Sequence, residues 1–335
     1  MVIGETSRAA NWSIYGYNRN TNPELTKIKG LTAFSHVLTE SNTTHKSVPM
    51  LMSSVTAHDF NSIYRQKGII TAFKEAGYRT AFFSNQRYNH SFIDFFGKEA
   101  DICDFIKEDA GDGSYNPSDD ELLKLVAAEL AENASKQFIV LHTYGSHFNY
   151  RERYPADHAF FLPDFPVDAE LKYKDNLINA YDNSIRYTDN FLARLIRMLQ
   201  EQDIDAAMLY TSDHGEDIFD DDRHLFLHAS PVPSYYQIHV PFLIWMSDNY
   251  RKNYPDLFKN AEINRQKNIS SSASFFQTML ELGGIDTPSR NDSLSVINAS
   301  YTEKNRVYLN DHNEARSLND IGMREEDFTM LQTKG

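Results

Sequence analysis

Short apolar runs alternate with amphipathic helical patterns along nearly the whole chain, and this alternation is the strongest constraint on its fold. Seven runs have the length and composition of strands, and they cover residues 1–5, 33–40, 79–85, 137–144, 206–213, 240–247 and 306–311. Several are apolar on both faces, which favours a parallel sheet covered by helices on both sides. The pattern therefore predicts an α/β fold with a doubly wound, mostly parallel central sheet.

Helical patterns lie between these strands, at residues 68–78, 119–133, 177–202 and 271–284. The first reaches Gly77, and glycine commonly ends a helix. The second opens with acidic residues, which are favourable at a helix N-terminus. No internal repeat or low-complexity block interrupts the series, so we expect residues 1–335 to form a single catalytic domain.

Charge and cysteine content exclude several classes of protein. The formal net charge of −14 argues against a nucleic-acid partner and against electrostatic docking on anionic lipid. The single cysteine, Cys103, rules out an intramolecular disulfide and a cysteine-based zinc cage. No run of about 18 apolar residues and no signal-peptide pattern is present. Because the chain opens directly on a strand pattern, we expect a catalytic piece of a longer protein, with any membrane anchor in the missing part.

Residues capable of binding a metal follow the ends of two predicted strands. Asp213 and His214 come directly after an apolar run and precede Gly215, which permits a turn that lets both side chains converge. Glu5 follows the first strand. Ligand sites in such sheets lie beyond the carboxyl ends of the strands, and two carboxylates with an imidazole suit zinc. A capped strand end is the structural alternative.

Thr44 stands just before a predicted helix, in the stretch TTHKSVPML at residues 43–51. Pro49 suits the first turn of that helix. A threonine hydroxyl becomes a nucleophile only when a base, a metal or a helix N-terminus activates it, and Thr44 would have the last two. A simple N-cap role, and Thr43 as the reacting residue, are the alternatives.

Seven of the 12 histidines fall between residues 142 and 239. His142 and His147 lie in HTYGSHFNY after a predicted strand, and His228 lies in a loop-like stretch. Histidine side chains bind phosphate oxygens, carry a metal or protonate a leaving group. Each of these histidines also has a structural explanation, so the residues alone leave their roles open.

Five motifs occur here in the order found in a known family: GETSRAANWSIYGYNRNTNPEL, TTHKSVPML, HTYGSHF, TSDHGE and FLHASP. From Glu5 to about Asp311, the chain resembles the lipid-A and core phosphoethanolamine transferases, which are sulfatase-like enzymes of the alkaline phosphatase superfamily. The resemblance implies that one zinc ion is held by four residues, one of which is also the nucleophile, Thr44. These residues are Glu5, Thr44, Asp213 and His214.

The resemblance also implies a pocket for the phosphoethanolamine group. His147 and His228 are expected to line it, to assist catalysis and to offer a site for a second zinc ion, and His142 lies nearby in a less defined role. Family members place polar residues after the third strand in this pocket. Asn85 and His90 are the candidates in this chain.

The activity implied is transfer of phosphoethanolamine from phosphatidylethanolamine to a lipopolysaccharide-type acceptor, through a covalent intermediate on Thr44. Members of the family carry an N-terminal transmembrane domain that this chain does not contain, which places the catalytic domain on the periplasmic face of the bacterial inner membrane. The disulfide-rich lipid-A members have cysteine where this chain has Met50. The acceptor is therefore open between lipid A, a core glycan and another periplasmic acceptor.

Other activities of the same superfamily are alternatives. A metal-dependent phosphotransferase or phosphodiesterase for another head group, such as glycerol phosphate, would share the threonine and the metal. A sulfatase would need an arginine after its Cys/Ser-X-Pro pattern, whereas Ser47-Val48-Pro49 is followed here by Met50 and Leu51. The intact set of four zinc-binding residue types argues against a binding domain without catalysis.

Overall fold

The structure is a computed structural model that describes residues 1–108, 116–166 and 168–333. Its strands are β1 (Val2–Gly4), β2 (Leu31–Ala33), β3 (Val37–Leu38), β4 (Arg79–Ser84), β5 (Ile102–Phe105), β6 (Gln137–His142), β7 (Ala207–Ser212), β8 (Asp217–Ile218), β9 (Phe226–Leu227), β10 (Phe242–Met246), β11 (Ile269–Ser270), β12 (Val307–Leu309) and β13 (Ala315–Ser317). Its α-helices are α1 (Thr44–Met52), α2 (Ile69–Glu75), α3 (Phe92–Gly97), α4 (Asp120–Ala131), α5 (Lys174–Gln200), α6 (Tyr235–Ile238), α7 (Asp248–Asn253), α8 (Pro255–Asn264), α9 (Ser271–Leu282) and α10 (Glu325–Thr333).

Seven strands form the central sheet, in the order β2-β10-β7-β1-β6-β4-β5. The pairs that run from β7 through β1, β6 and β4 to β5 are all parallel. β10 runs antiparallel to both of its neighbours, β7 and β2. The predicted doubly wound, mostly parallel sheet is therefore confirmed.

Helices cover both faces of the sheet, and the side chains of β10 contribute to the cores on both sides. Phe242 and Ile244 pack into the core that contains α1, α2 and α9, whereas Leu243 and Trp245 pack into the core that contains α4 and α5. Successive side chains of a strand point to opposite faces, so a strand buried on both sides must be apolar throughout. This explains why its sequence shows no alternation of polar and apolar residues.

The four predicted helices are present as α2, α4, α5 and α9, each within a few residues of the predicted ends. Gly77 adopts a φ of +82° just after α2, which is the left-handed conformation that ends many helices. None of the helices in the described part of the chain combines the length and the apolar content needed to cross a membrane.

Two strand predictions were wrong in detail, and one strand of the central sheet was missed. The predicted strand at 33–40 is divided, since β2 joins the central sheet while β3 pairs with β11. The strand at 306–311 contains β12, which pairs with β13 outside the central sheet. β5 was missed because it lies at the sheet edge and is only partly buried, so its composition is mixed.

Candidate metal centre and nucleophile

Three buried side chains converge at the carboxyl edge of the sheet. Oxygen or nitrogen atoms of Glu5, Asp213 and His214 all lie within 4.8 Å of one another. Glu5 follows β1 and Asp213 follows β7, and the two strands pair in parallel with Gly4 opposite Ser212. Their side chains therefore meet because parallel register brings the ends of the two strands together.

The imidazole of His214 is held in the tautomer that a metal ligand requires. Its Nδ1 atom lies 2.8 Å from the carbonyl oxygen of Gly215 and must donate its proton there. The lone pair of Nε2 consequently faces the carboxylates, 3.3 Å from Oδ2 of Asp213 and 3.5 Å from Oε1 of Glu5. A backbone carbonyl that fixes the other ring nitrogen is the usual support of a ligating histidine.

Gly215 is required by close packing at this turn. Its φ is not in the left-handed region, but a Cβ atom there would lie 2.2 Å from the carbonyl oxygen of Tyr236 and 2.7 Å from Cβ of Arg8. Any side chain would push the Asp213–His214 turn away from its neighbours.

Thr44 begins α1 and points its hydroxyl at this cluster. Its Oγ1 atom lies 3.1 Å from Nε2 of His214 and 3.3 Å from Oε1 of Glu5. Thr43 occupies the N-cap position, where its side chain makes no capping hydrogen bond and lies 3.2 Å from Oγ of Ser41. Of the two adjacent threonines, Thr44 is therefore the one whose hydroxyl contacts the cluster, at the positive end of α1.

The electrostatics of the cluster fit a divalent cation. Oδ2 of Asp213 is buried and has no hydrogen-bond partner. Burial, and then the carboxylate of Glu5, raises the pKa of Asp213 well above its usual range. Burial would also raise the pKa of Glu5, but the nearby His214 and His147 bring it below its ordinary value. Two buried carboxylates and a neutral imidazole form a donor set suited to zinc, which would satisfy the orphaned oxygen.

Gln86, a residue not predicted from the sequence, holds the Glu5 carboxylate in place by a hydrogen bond. Its side-chain Nε2 donates to Oε2 of Glu5 over 2.8 Å and contacts Nε2 of His142 at 3.1 Å. Nδ1 of His142 lies 3.2 Å from Oγ of Ser84. Burial lowers the pKa of His142 to about 4, so this ring is neutral and acts through Gln86 on Glu5.

His147 and His228 lie beside the cluster, as the resemblance implies. His147 places Nδ1 2.6 Å from the carbonyl oxygen of Phe148, so this nitrogen donates there and Nε2 is the atom that can gain or lose a proton. In its protonated form, His147 lowers the pKa of Glu5. The ring of His228 lies 4.1 Å from that of His214, and its Nδ1 lies 3.9 Å from Oε2 of Glu216. Their catalytic and metal-binding roles stay predictions.

Asn85 and His90, the two candidates after β4, lie in different surroundings. The Asn85 amide donates to Oδ1 of Asp119 over 2.8 Å and to the carbonyl oxygen of Pro117 over 3.0 Å. His90 is exposed, with a φ of +61°, and its ring packs edge-on against Tyr88. Contact of either residue with a head group stays a prediction.

Asp119 connects two loops of the site and was interpreted from the sequence only as an acidic helix start. Its buried carboxylate accepts hydrogen bonds from the amide of Asn85 and from the backbone N–H groups of Tyr144 and Gly145, at 2.8, 2.8 and 3.0 Å. The loop of Tyr144 and Gly145 carries His147. Nothing local in the sequence signals these contacts, because they join segments that are remote along the chain.

The fold and this site define the class of protein. The chain belongs to the sulfatase family, since the family model described as Sulfatase matches residues 1–285.

Within that family, its relatives carry phosphoethanolamine transferase names, which confirms the resemblance seen in the motifs. The chain is 32% identical over 281 residues to the Kdo(2)-lipid A phosphoethanolamine 7''-transferase of Escherichia coli K12, covering 80% of this chain and 47% of the relative. It is 26% identical over 317 residues to phosphoethanolamine transferase EptC of the same strain, covering 91% and 54%. The chain thus spans about half the length of the curated relatives it matches.

Solved structures agree with this assignment. The C-terminal periplasmic domain of EptC from Campylobacter jejuni superposes with a TM-score of 0.78 at 26% identity, covering 90% of this chain and 94% of that one. The corresponding Escherichia coli domain, in a structure named as a complex with Zn, superposes with a TM-score of 0.85 at 24% identity, covering 96% and 92%. At 24% identity, the match to the Escherichia coli domain shows a shared fold and no more.

Proposed function

We propose that this chain is the catalytic domain of a zinc-dependent phosphoethanolamine transferase. Its donor is phosphatidylethanolamine, and its acceptor is of the lipopolysaccharide type, either lipid A or a core sugar. The observation that carries the proposal is the Thr44 hydroxyl, 3.1 Å from His214 and 3.3 Å from Glu5 at the start of a helix. The names of the relatives supply the donated group and the acceptor class.

Four residues would hold the zinc ion, namely Glu5, Thr44, Asp213 and His214. Zinc bound there acts as a Lewis acid that favours the ionised threonine hydroxyl and offsets charge on the phosphoryl oxygens. Two carboxylates, an imidazole and a hydroxyl are ligand types that zinc accepts, which supports the choice of metal. His147 and His228 are the candidates for a second ion.

In the first step, Oγ1 of Thr44, whose proton has passed to solvent, forms a bond to the phosphorus atom of the donor while the bond from phosphorus to the diacylglycerol oxygen breaks. The first turn of α1 directs its free N–H groups toward the developing negative charge. His147 or His228, beside the cluster and in its doubly protonated form, donates the proton that the departing diacylglycerol takes up. Phosphoethanolamine is then covalently attached to Thr44.

In the second step, an acceptor hydroxyl or phosphate oxygen attacks the same phosphorus atom and releases Thr44. The histidine that lost its proton takes one from an attacking hydroxyl, because the return step reverses the roles of the first. A phosphate oxygen that is already ionised needs no such base. Transfer prevails over hydrolysis when the acceptor reaches the adduct before water does.

The proposed location follows from the names of the structural relatives. Several are C-terminal periplasmic domains, and one is an integral membrane enzyme from Neisseria meningitidis that matches this chain over 56% of its own length. We assign residues 1–335 to one periplasmic catalytic domain of an inner-membrane enzyme whose N-terminal transmembrane domain lies outside this chain.

Intact-mass measurement of the zinc-loaded protein with phosphatidylethanolamine tests the proposal. A gain equal to one phosphoethanolamine group, mapped to Thr44 by peptide sequencing, is expected in the wild type. The gain should persist in Thr43→Ala and disappear in Thr44→Ala, since of these two threonines Thr44 is the one that contacts the cluster. An adduct on Thr43 would overturn the assignment of the nucleophile. An adduct only with a glycerol-phosphate donor would move the chain to the alternative transferase class.

A further inference from the structure

Residues 159–166 form a loop, here called the aromatic loop, that presents large apolar side chains to solvent. Phe160 is 59% exposed, Leu162 65% and Phe165 67%. Scattered single apolar residues are normal on a protein surface, but three within six positions of one loop form a patch. Such patches mark contacts with another protein or with a membrane.

The loop backbone is tied down, so this exposure is a fixed feature of the fold. Asn176, Asn179 and Asn183 line one face of α5, at spacings of three and four residues. Their side chains bond the backbone of the loop: the first two donate to the carbonyl oxygens of Phe165 and Pro163, and the third accepts from the N–H groups of Phe160 and Phe161. Because the polar groups face α5, the apolar side chains face outward.

Each phenyl ring of the loop is paired with an arginine. The guanidinium of Arg186 lies 4.1 Å from the ring centroid of Phe160, that of Arg19 lies 3.9 Å from Phe161, and that of Arg151 lies 4.7 Å from Phe165.

Two of these arginines also form ion pairs. Arg19 pairs with Asp182 and Arg151 pairs with Asp164, so the patch is largely compensated in charge. Rings that enter an apolar layer beside cations at the polar level match the layered chemistry of a lipid–water interface.

The aromatic loop lies at the same end of the domain as the candidate active site. Asn183, which holds the loop, is two residues from Tyr181 on α5. The Tyr181 hydroxyl donates to the carbonyl oxygen of Thr6 over 2.7 Å, and Thr6 is adjacent to Glu5. The loop is therefore connected through one helix to the zinc-binding residues at the carboxyl edge.

From these contacts we propose that the aromatic loop docks on the surface of a phospholipid bilayer by apolar insertion, and so presents the catalytic edge to its lipid donor. This inference rests on the proposed function, because a donor embedded in a bilayer is the substrate that requires such contact. The net charge of −14 makes docking by charge attraction unfavourable, so the affinity comes from the apolar side chains.

Flotation of the protein with vesicles of phosphatidylcholine and phosphatidylethanolamine tests the docking. We expect the triple variant Phe160→Ser, Leu162→Ser, Phe165→Ser to bind vesicles at least about tenfold more weakly than the wild type, with little dependence on salt. The matched control is the double variant Ile204→Ser, Tyr254→Ser, whose residues are 47% and 49% exposed at the opposite edge of the sheet. It should bind like the wild type.

Tryptophan fluorescence gives a local readout. Trp12 and Trp245, the chain's own two tryptophans, are fully buried. Emission from Phe165→Trp should shift to shorter wavelength when vesicles are added, and emission from Tyr254→Trp should not.

Several results would overturn the docking surface. The wild type could fail to float with vesicles at all, or the triple variant could bind vesicles as well as the wild type does. Vesicle binding could also be weakened as much in the control variant as in the triple variant. A wild type that is dimeric in solution, with a monomeric triple variant and unchanged vesicle binding, would assign the patch to a second copy of the chain.

A water-soluble phosphoethanolamine ester separates this inference from the proposed function. The triple variant should form the Thr44 adduct from the soluble ester at the wild-type rate, and lose most of its rate with donor in vesicles. Loop-dependent vesicle binding without any Thr44 adduct from either donor would retain the docking surface and refute the transferase. Equal rates of the two proteins with vesicle donor would refute the docking role in catalysis.

Discussion

The side-chain amide of Gln86 donates a hydrogen bond of 2.8 Å to Oε2 of Glu5, although 81 residues separate them along the chain. The same nitrogen contacts the neutral ring of His142 and the carbonyl oxygen of Thr143. Gln86 thereby fixes the orientation of the Glu5 carboxylate toward the other ligand atoms. Groups of this kind govern metal affinity without touching the metal.

Gln86→Ala should weaken zinc binding by about 10–100-fold, because Glu5 would lose the hydrogen bond that orients it. A competition titration against a fluorescent zinc chelator measures this change. Gln66→Ala, which removes a partly buried glutamine whose partner is Ser54, should leave the zinc affinity unchanged. Equal affinity of Gln86→Ala and the wild type would show that the carboxylate is held without this amide.

Asp119→Asn should lower kcat while the zinc content stays at the wild-type level. An amide in place of the carboxylate keeps only one accepting oxygen for the three donors of Asn85, Tyr144 and Gly145. The loop that carries His147 would shift, and displacements of about 1 Å cost on the order of 100-fold in rate. Steady-state kinetics with metal analysis of the same sample measure both quantities.

The adjacent residue provides the control for this prediction. Asp120 pairs with Arg194 at the surface, so Asp120→Asn changes the same helix end without touching the loop. It should keep the wild-type kcat. Loss of zinc in Asp119→Asn would instead show that the metal centre itself had collapsed.

Removal of the metal should destabilise the wild type more than Asp213→Asn. An ion that binds the folded state alone at about 100 times its dissociation constant stabilises it by about 2.7 kcal/mol, and the variant lacks one ligand. With zinc bound, the wild type should therefore be the more stable of the two proteins. In chelator, Asp213→Asn should be the more stable, since it no longer buries two facing carboxylates with an unsatisfied oxygen on Asp213. Thermal unfolding with and without chelator measures both effects.

Asp217→Asn is the matched control for the metal. Asp217 is also buried, but its carboxylate accepts from Ser234 and Gln237 and lies outside the ligand cluster. The chelator-induced loss of Tm should be the same in this variant as in the wild type. An equal response of Asp213→Asn would contradict the ligand assignment.

Glu40 should make the free energy of unfolding decrease between weakly acidic and neutral pH. Burial raises its pKa from 4.5 to about 7 in the folded state, partly offset by hydrogen bonds from Ala57 and Ser270. A raised carboxyl pKa contributes stability that is complete below the unfolded value of 4.5 and is lost as the pH rises through 7. The loss amounts to about 3 kcal/mol for a shift of this size.

Glu40→Gln should remove that part of the pH dependence, because glutamine can still accept from the Ala57 N–H and does not ionise. Urea unfolding at a series of pH values from about 5 to about 8, the range in which Glu40 titrates, measures how the free energy of unfolding changes with pH. Glu75→Gln, at an exposed carboxylate, is the control and should keep the wild-type slope. An unchanged slope in Glu40→Gln would place the titration elsewhere in the protein.

Local pattern was enough to predict most strands of the central sheet, four of the helices, and which residues have metal-binding chemistry. The apolar run that becomes β7 ends directly before Asp213 and His214, so their position at a strand end could be predicted from neighbours in sequence. For Thr44, the apolar pattern predicted a helix close by, but α1 begins at Thr44 itself, so Pro49 lies inside the helix and not in its first turn as predicted. These features depend on residues only a few positions apart.

Only the tertiary structure decided which of these residues meet. Glu5 and Asp213 converge because β1 and β7 are neighbours in the sheet, and strand order depends on pairings between distant segments. Asn85 and Gln86 are adjacent and both polar, yet the amide of Asn85 turns to Asp119 and that of Gln86 turns to Glu5. Both residues lie in the bend that follows β4, where the strict alternation of a strand has ended, so no local pattern predicts which side chain faces the site.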